Sequence, residues 1–107
     1  MATTIDTQAP VLTLINVFTV EPSQQQELVD LLTEATEALM SKLDGYISAN
    51  LHTSLDGTKV TNYAQWRDQA AFDAMLHNQE AGKHMKRISE IAHAEPTLYK
   101  VVYSDHI

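Results

Sequence analysis

The sequence predicts an α+β domain, a four-stranded antiparallel sheet with its helices on one face, from three observations. Val11–Val20 alternates along its length like a strand. Asp56-Gly57 separates two further alternating runs, Tyr46–Ser54 and Val60–Trp66, as a hairpin turn does. Between these blocks, and again after Trp66, apolar residues recur at helical spacing.

Each element follows from its own residues. In Val11–Val20, Leu12, Leu14, Asn16, Phe18 and Val20 share one face, and Val11, Thr13, Ile15, Val17 and Thr19 the other. Both faces are largely apolar, as in a central strand. Glu21-Pro22 ends the strand, and Ser23 with Gln26 has the spacing of a capping box. Leu28, Leu31, Leu32, Ala35, Leu39 and Leu43 then predict one helix of about five turns, closed by Asp44-Gly45. A two-residue turn at Asp56-Gly57 sets the hairpin register: Thr53 opposite Val60, Leu51 opposite Asn62, Ala49 opposite Ala64 and Ile47 opposite Trp66. Tyr46, Ser48, Asn50, His52, Thr61, Tyr63 and Gln65 fall on the opposite face. Asp68 caps a short second helix through Leu76, and a third runs from about Glu80 to His93. Pro96 marks its exit, and Thr97–Tyr103 is the last strand. The order β-α-β-β-α-(α)-β is the ferredoxin-like split βαβ pattern. Residues 1–10 are expected to be a flexible arm, 11–103 the domain and 104–107 a tail.

Composition narrows the function. The 107 residues suffice for one domain, and an apolar content of 44% suits a globular chain. Without cysteine there is no disulfide, thiolate nucleophile or cysteine-ligated metal. Met1 to Pro10 has neither the basic nor the apolar part of a signal peptide, and no apolar run reaches membrane-spanning length. A cytoplasmic protein is expected. The net charge of −7 disfavours nucleic acid and anionic lipid as partners.

Two residues break the apolar pattern of the helix-facing side, Asn16 and Asn62, and Asn62 is followed four positions later by the only tryptophan, Trp66. A buried amide without partners costs on the order of 1–3 kcal/mol. Either these side chains hydrogen-bond to strand irregularities, with Trp66 as ordinary core, or they line a small-molecule cavity. The opposite face, semi-polar in the hairpin but apolar at Val11, Ile15 and Val17, asks for a covering partner, and a homodimer packed sheet to sheet would supply one. His52 would then hydrogen-bond at that interface.

The segments Phe18-Thr-Val-Glu-Pro22, Leu43-Asp-Gly-Tyr46, Asp56-Gly57, Asn62-Tyr-Ala-Gln-Trp66 and Gln69-Ala-Ala-Phe72 resemble the antibiotic biosynthesis monooxygenase domain family, over residues 11–103. The resemblance implies a dimeric α+β barrel of ferredoxin-like subunits. It implies oxygenation of an anthrone-like aromatic polyketide to a quinone by O₂, with no metal and no other cofactor. In the anthrone oxygenases a first-strand Asn, a third-strand Asn and the Trp four residues on form the catalytic set, which Asn16, Asn62 and Trp66 match. Phe18, Leu51, Phe72 and Arg87 are the expected substrate contacts. Phe72 stands where some relatives carry a tyrosine, so that hydroxyl is missing here. No general base is evident in the set.

The same residues argue against a metal or haem site. His77 and His84 are separated by about 10 Å along a continuous helix, too far to share one ion, and Glu80 with His84 reads as a solvated pair. Haem-degrading relatives carry a second-helix Trp and a third-helix His, whereas Met75 occupies the former position and His84 is displaced from the latter. Lys83, His84, Lys86 and Arg87 form the basic cluster of an acidic chain, either a solvated helix face or a grip for an anionic substrate. The latter would suit an alternative function, a cofactor-free isomerase of a small phosphorylated or lactone substrate. A non-catalytic small-molecule-binding protein of the same fold is a third reading.

Overall fold

The computed structural model describes residues 2–107. The strands are β1 (Leu12–Val20), β2 (Tyr46–Thr53), β3 (Lys59–Trp66) and β4 (Ala92–Tyr99). The helices are α1 (Gln25–Ala38), α2 (Gln69–Leu76) and α3 (Gln79–Ser89). The strands form one antiparallel sheet in the order β2-β3-β1-β4, the ferredoxin-like arrangement, with β1 and β3 at its centre. The expected α+β barrel is not formed. Closure would require β2 to pair with β4, and these are the two open edges of a four-stranded sheet.

The helices cover the face that carries Leu14, Asn16, Phe18 and Val20. Its apolar residues divide into two clusters. One gathers Leu14, Ala64 and Trp66 with Ala71, Phe72 and Met75 of α2 and Ala81 of α3. The other gathers Phe18, Val20 and Val60 with Leu28 and Leu32 of α1 and Ile88 of α3. Leu28 and Val60 are fully enclosed. Burying a side chain of this size contributes about 1.5–3 kcal/mol, so these rows fix how the helices sit on the sheet. No helix of the described residues is long and apolar enough to cross a membrane.

Local chemistry explains the helix boundaries. Asp68 accepts a hydrogen bond from the Ala71 amide at 2.9 Å, and Asn78 accepts one from the Ala81 amide at 3.0 Å, so α2 and α3 are separately capped. The Ser23–Gln26 capping box does not form: a 3₁₀ turn at Pro22–Gln24 precedes α1. Gln25 instead donates to the carbonyls of Ser54 and Lys59 at 3.1 and 3.0 Å, tying α1 to the hairpin loop. The first helix is also shorter than its leucine spacing suggests. It ends at Ala38, and a 3₁₀ turn, Met40–Lys42, carries the apolar pattern on to Leu43.

The hairpin register agrees with the expectation for Thr53–Val60, Leu51–Asn62 and Ala49–Ala64. The loop itself is longer, because Ser54 and Lys59 close it and only Gly57 takes positive φ. Asp56 holds it, accepting bonds from the Thr58 amide and the hydroxyls of Thr58 and Ser54 at 2.8–3.0 Å. At the far end of β2 the register slips through a β-bulge between Tyr46 and Ser48, so that Tyr46, not Ile47, lies opposite Trp66. The last strand is displaced as well. It begins at Ala92, not Thr97, and Pro96 lies within it, which an edge strand tolerates because its outer side has no ladder to complete.

The other face of the sheet receives the N-terminal segment. Asn50 donates to Thr3 Oγ1 at 2.7 Å and to the Tyr63 carbonyl at 3.0 Å. Gln65 donates to the Thr4 carbonyl at 2.8 Å, and both Gln65 and Thr13 are buried. Met1, within the expected arm, lies outside the described residues.

Candidate active site

Asn16 and Asn62 are direct partners across β1 and β3. Directly opposed antiparallel residues share a face with Cβ atoms about 4.5–5.5 Å apart, so the two carboxamides stand side by side under the helices. They occupy the row at which the two apolar clusters part: Leu14 with Ala64 lies on one side, Phe18 with Val60 on the other. The Oδ1 atoms of both asparagines are buried without a hydrogen-bond partner. An unmade hydrogen bond in such surroundings costs more than a made one contributes. These amides are therefore not explained by the fold. A carboxamide can present either its oxygen or its two N–H donors by turning about its last torsion, so the pair can meet an acceptor or a donor on a bound molecule.

The pair opens into a cavity of about 60 Å³ between the sheet and the helices. Phe18 and Trp66 wall it from the sheet, with Tyr46 at its β2 end, and Thr36, Met40, Met75, Met85 and Ile88 close it from the helical side. No lining residue carries a charge, and none is a carboxylate or histidine. A ligand meets apolar surface, two amides, a threonine hydroxyl, an indole N–H and a phenol. The cavity is smaller than the roughly 300 Å³ at which ligand pockets usually begin. Three methionines line it, and unbranched thioether side chains give way to a ligand more readily than branched ones.

Aromatic packing holds Trp66 in place. Tyr46 meets it edge to face at 5.7 Å between ring centroids, and Phe72 meets it at 6.3 Å with the planes 73° apart. Burial raises the Tyr46 phenol above the ordinary tyrosine value. Just before Tyr46 the chain is pinned by Gly45, whose φ of +86° favours glycine and where a side chain would collide with Ala71 Cβ. Arg67 clamps the same corner. Its amide donates to the Gly45 carbonyl at 2.7 Å, and its guanidinium grips Asp44 through two bonds of 3.0 and 3.1 Å and Asp68 at 3.3 Å. Those bonds lower the pKa of both carboxyls, Asp44 chiefly through Arg67 and Asp68 chiefly through the Ala71 amide.

The structure brings Asn16, Asn62, Trp66 and Phe18 together in this cavity. The other expected contacts stand elsewhere. Leu51 packs against the cluster beneath α1, and Phe72 lies behind Trp66. Arg87 points away, pairing with Glu34 of α1 at 3.3 Å with both side chains half exposed. Spacing reasoning missed Tyr46, because counting outward from the turn puts it on the other face; its neighbour Gly45 was the available warning that the strand starts irregularly. It also missed Met40, carried inward by the 3₁₀ turn, and Met85.

Comparison with known proteins bears on this cavity. The antibiotic biosynthesis monooxygenase family matches residues 11–87. The tetracenomycin-F1 monooxygenase of Streptomyces glaucescens is 39% identical over 101 residues, spanning 94% of this chain and 90% of that protein. Among solved structures, the ActVA-Orf6 monooxygenase of Streptomyces coelicolor, crystallised with nanaomycin D, superposes with a TM-score of 0.82 at 23% identity, over 95% of this chain and 96% of that one. SnoaB, a cofactor-independent oxygenase from Streptomyces nogalater, gives a TM-score of 0.76 at 22% identity, over 90% and 97% of the two chains. At such identities these two structures speak for the fold.

Proposed function

The chain belongs to the antibiotic biosynthesis monooxygenase family, and from that premise we propose that it oxidises an anthrone-like aromatic polyketide to a quinone with O₂, using no cofactor. The observation that carries the reading is the facing pair Asn16 and Asn62, their Oδ1 atoms buried without partners at the head of an uncharged cavity walled by Trp66. An anthrone C–H is acidified by its carbonyl, since the anion delocalises onto oxygen and into the rings. Asn62 and Asn16, turned to present N–H donors, stabilise that oxygen as its charge develops. The C–H proton passes to water. The electron-rich anion gives one electron to O₂, and recombination at the same carbon forms a peroxide. Protonation and loss of water leave the second carbonyl. In sum, one anthrone and one O₂ give one quinone and one water. The indole face of Trp66 positions the rings.

The absence of charge among the lining residues favours a neutral polycyclic substrate over a phosphorylated one. Arg87, the cation on which an isomerase of anionic substrates would rely, is paired with Glu34 instead. The same reading places the chain in the cytoplasm as a homodimer. Tyr99, the last residue of β4, is 48% exposed, and Val102 and Tyr103, which follow the strand, are 83% and 78% exposed, apolar surface that a second copy would cover. Light scattering tests the dimer.

The test of activity is oxygen consumption by metal-stripped protein with dithranol or emodin anthrone, corrected for spontaneous oxidation. Uptake above background, matched mole for mole by quinone, is expected. No uptake with either anthrone would contradict the assignment and leave the binding or isomerase functions in its place.

A further inference from the structure

We infer that Tyr46 is a catalytic residue of this site, the acid that protonates the substrate peroxide and then the departing hydroxide; the inference rests on the oxygenase function proposed above. The observation behind it is the β-bulge. A regular β2 would place Ile47 opposite Trp66, in the apolar cavity, and Tyr46 on the other face. The bulge reverses this. Tyr46 lines the cavity with both asparagines, while Ile47 is turned out to 45% exposure. Exposing an isoleucine forgoes part of the 1.5–3 kcal/mol its burial would contribute, so on packing grounds alone the regular strand is the better one. Bulges recur beside active sites, where they re-aim a side chain. What this one delivers is a phenol.

The phenol is held for the purpose. Its ring stands edge-on against Trp66, and Gly45, which no larger residue can replace without meeting Ala71, fixes the chain immediately before it. Burial raises its pKa, so it stays protonated at neutral pH and can donate. No other lining group gives up a proton as readily as a phenol: the remaining polar groups are amides, a threonine hydroxyl and an indole, all weaker acids. Phe72, the other aromatic ring packed on Trp66, has no hydroxyl to offer.

The step balances. Carbon-bound peroxide, C–O–O⁻, takes the Tyr46 proton to give the hydroperoxide and a phenolate, which regains a proton from water. The carbon then loses its remaining hydrogen as a proton to water, the C–H pair forms the new C=O, and the O–O bond breaks with its electrons on the outer oxygen. That hydroxide takes a proton from Tyr46 and leaves as water. Both electron pairs come from the substrate, and O₂ is the only oxidant.

The experiment compares wild type and Tyr46→Phe with dithranol, following O₂ uptake and quinone formation separately, and quenching for mass spectrometry. General acid catalysis contributes typically 10²–10⁴-fold, so Tyr46→Phe is expected to slow quinone formation by about 100-fold. The first O₂ should still be taken up, with a hydroperoxide accumulating. A purely structural role for Tyr46 would slow O₂ uptake and quinone formation together and would not produce the intermediate. Quinone formation at the wild-type rate by Tyr46→Phe, or a slowed rate with no hydroperoxide, would overturn the role while leaving the oxygenase reaction in place. Absence of O₂ uptake by wild type would overturn both.

Discussion

The two faces of the sheet each hold a pair of buried or half-buried amide side chains and treat them in opposite ways. On the back face, Asn50 and Gln65 are satisfied: one by Thr3 and the Tyr63 carbonyl, the other by the Thr4 carbonyl. On the helix face, Asn16 and Asn62 meet each other across the strands with both carbonyl oxygens unpartnered. Thr13 Oγ1 on the back face is also left without a partner, but it is a single hydroxyl and not a facing pair. Chemically alike groups thus divide by what completes them. The back pair is completed by the chain's own N-terminal segment and serves stability. The front pair awaits a molecule from outside.

Substitutions that exchange stability for activity between the faces would break this contrast, and the largest effect is expected in front. Asn62→Ala, and separately Asn16→Ala, should lower kcat/KM for an anthrone by roughly 100- to 1,000-fold, the usual loss when one oxyanion donor is removed. Thermal or urea unfolding of the same variants should change by less than about 1 kcal/mol, because no hydrogen bond is lost. Gln65→Leu should do the reverse. It strands the Thr4 carbonyl and should cost about 1–3 kcal/mol in urea unfolding, with turnover near that of wild type. Thr3→Ala removes only the partner of an amide that keeps its bond to Tyr63, so a loss of about 0.5–1.5 kcal/mol is expected in the same assay.

The hairpin tip, remote from both pairs, gives the smallest effect and a control. The Asp56 carboxyl is held down to about 2 by the Thr58 amide and by the Ser54 and Thr58 hydroxyls. A depressed carboxyl adds stability above its unfolded value near 3.8, and that stability fades as pH falls toward about 2. Asp56→Asn should flatten the acid limb of a stability-against-pH curve in that window and leave turnover unchanged.

Much of this contrast could be read from residue order, because strand alternation is a strict two-residue rule. It places Asn16, Asn62 and Trp66 on one face and Asn50 and Gln65 on the other from sequence alone. The Asp68 cap and the hairpin register from Thr53 to Ala49 followed from local chemistry in the same way. What failed did so where a rule of counting meets an irregularity. One inserted residue at Ile47 exchanged the sides of Tyr46 and Ile47. A 3₁₀ turn after Ala38 redirected Met40. Pro96 reads as a breaker until β4 is known to be an edge, and strand order is a property of the whole sheet. The choice of Glu34 by Arg87 depends on how α1 and α3 lie together, which no local pattern encodes.

The central claim is that the front pair stabilises a substrate oxyanion, and it can be measured without oxygen. Dithranol bound anaerobically to the protein can be titrated by the absorbance of its coloured anion. With wild type the anion should appear roughly two pH units below its position in free solution, as one oxyanion donor's contribution implies, and Asn62→Ala should return it most of the way. An anion that forms at the same pH when free, bound to wild type and bound to the variant would contradict the claim.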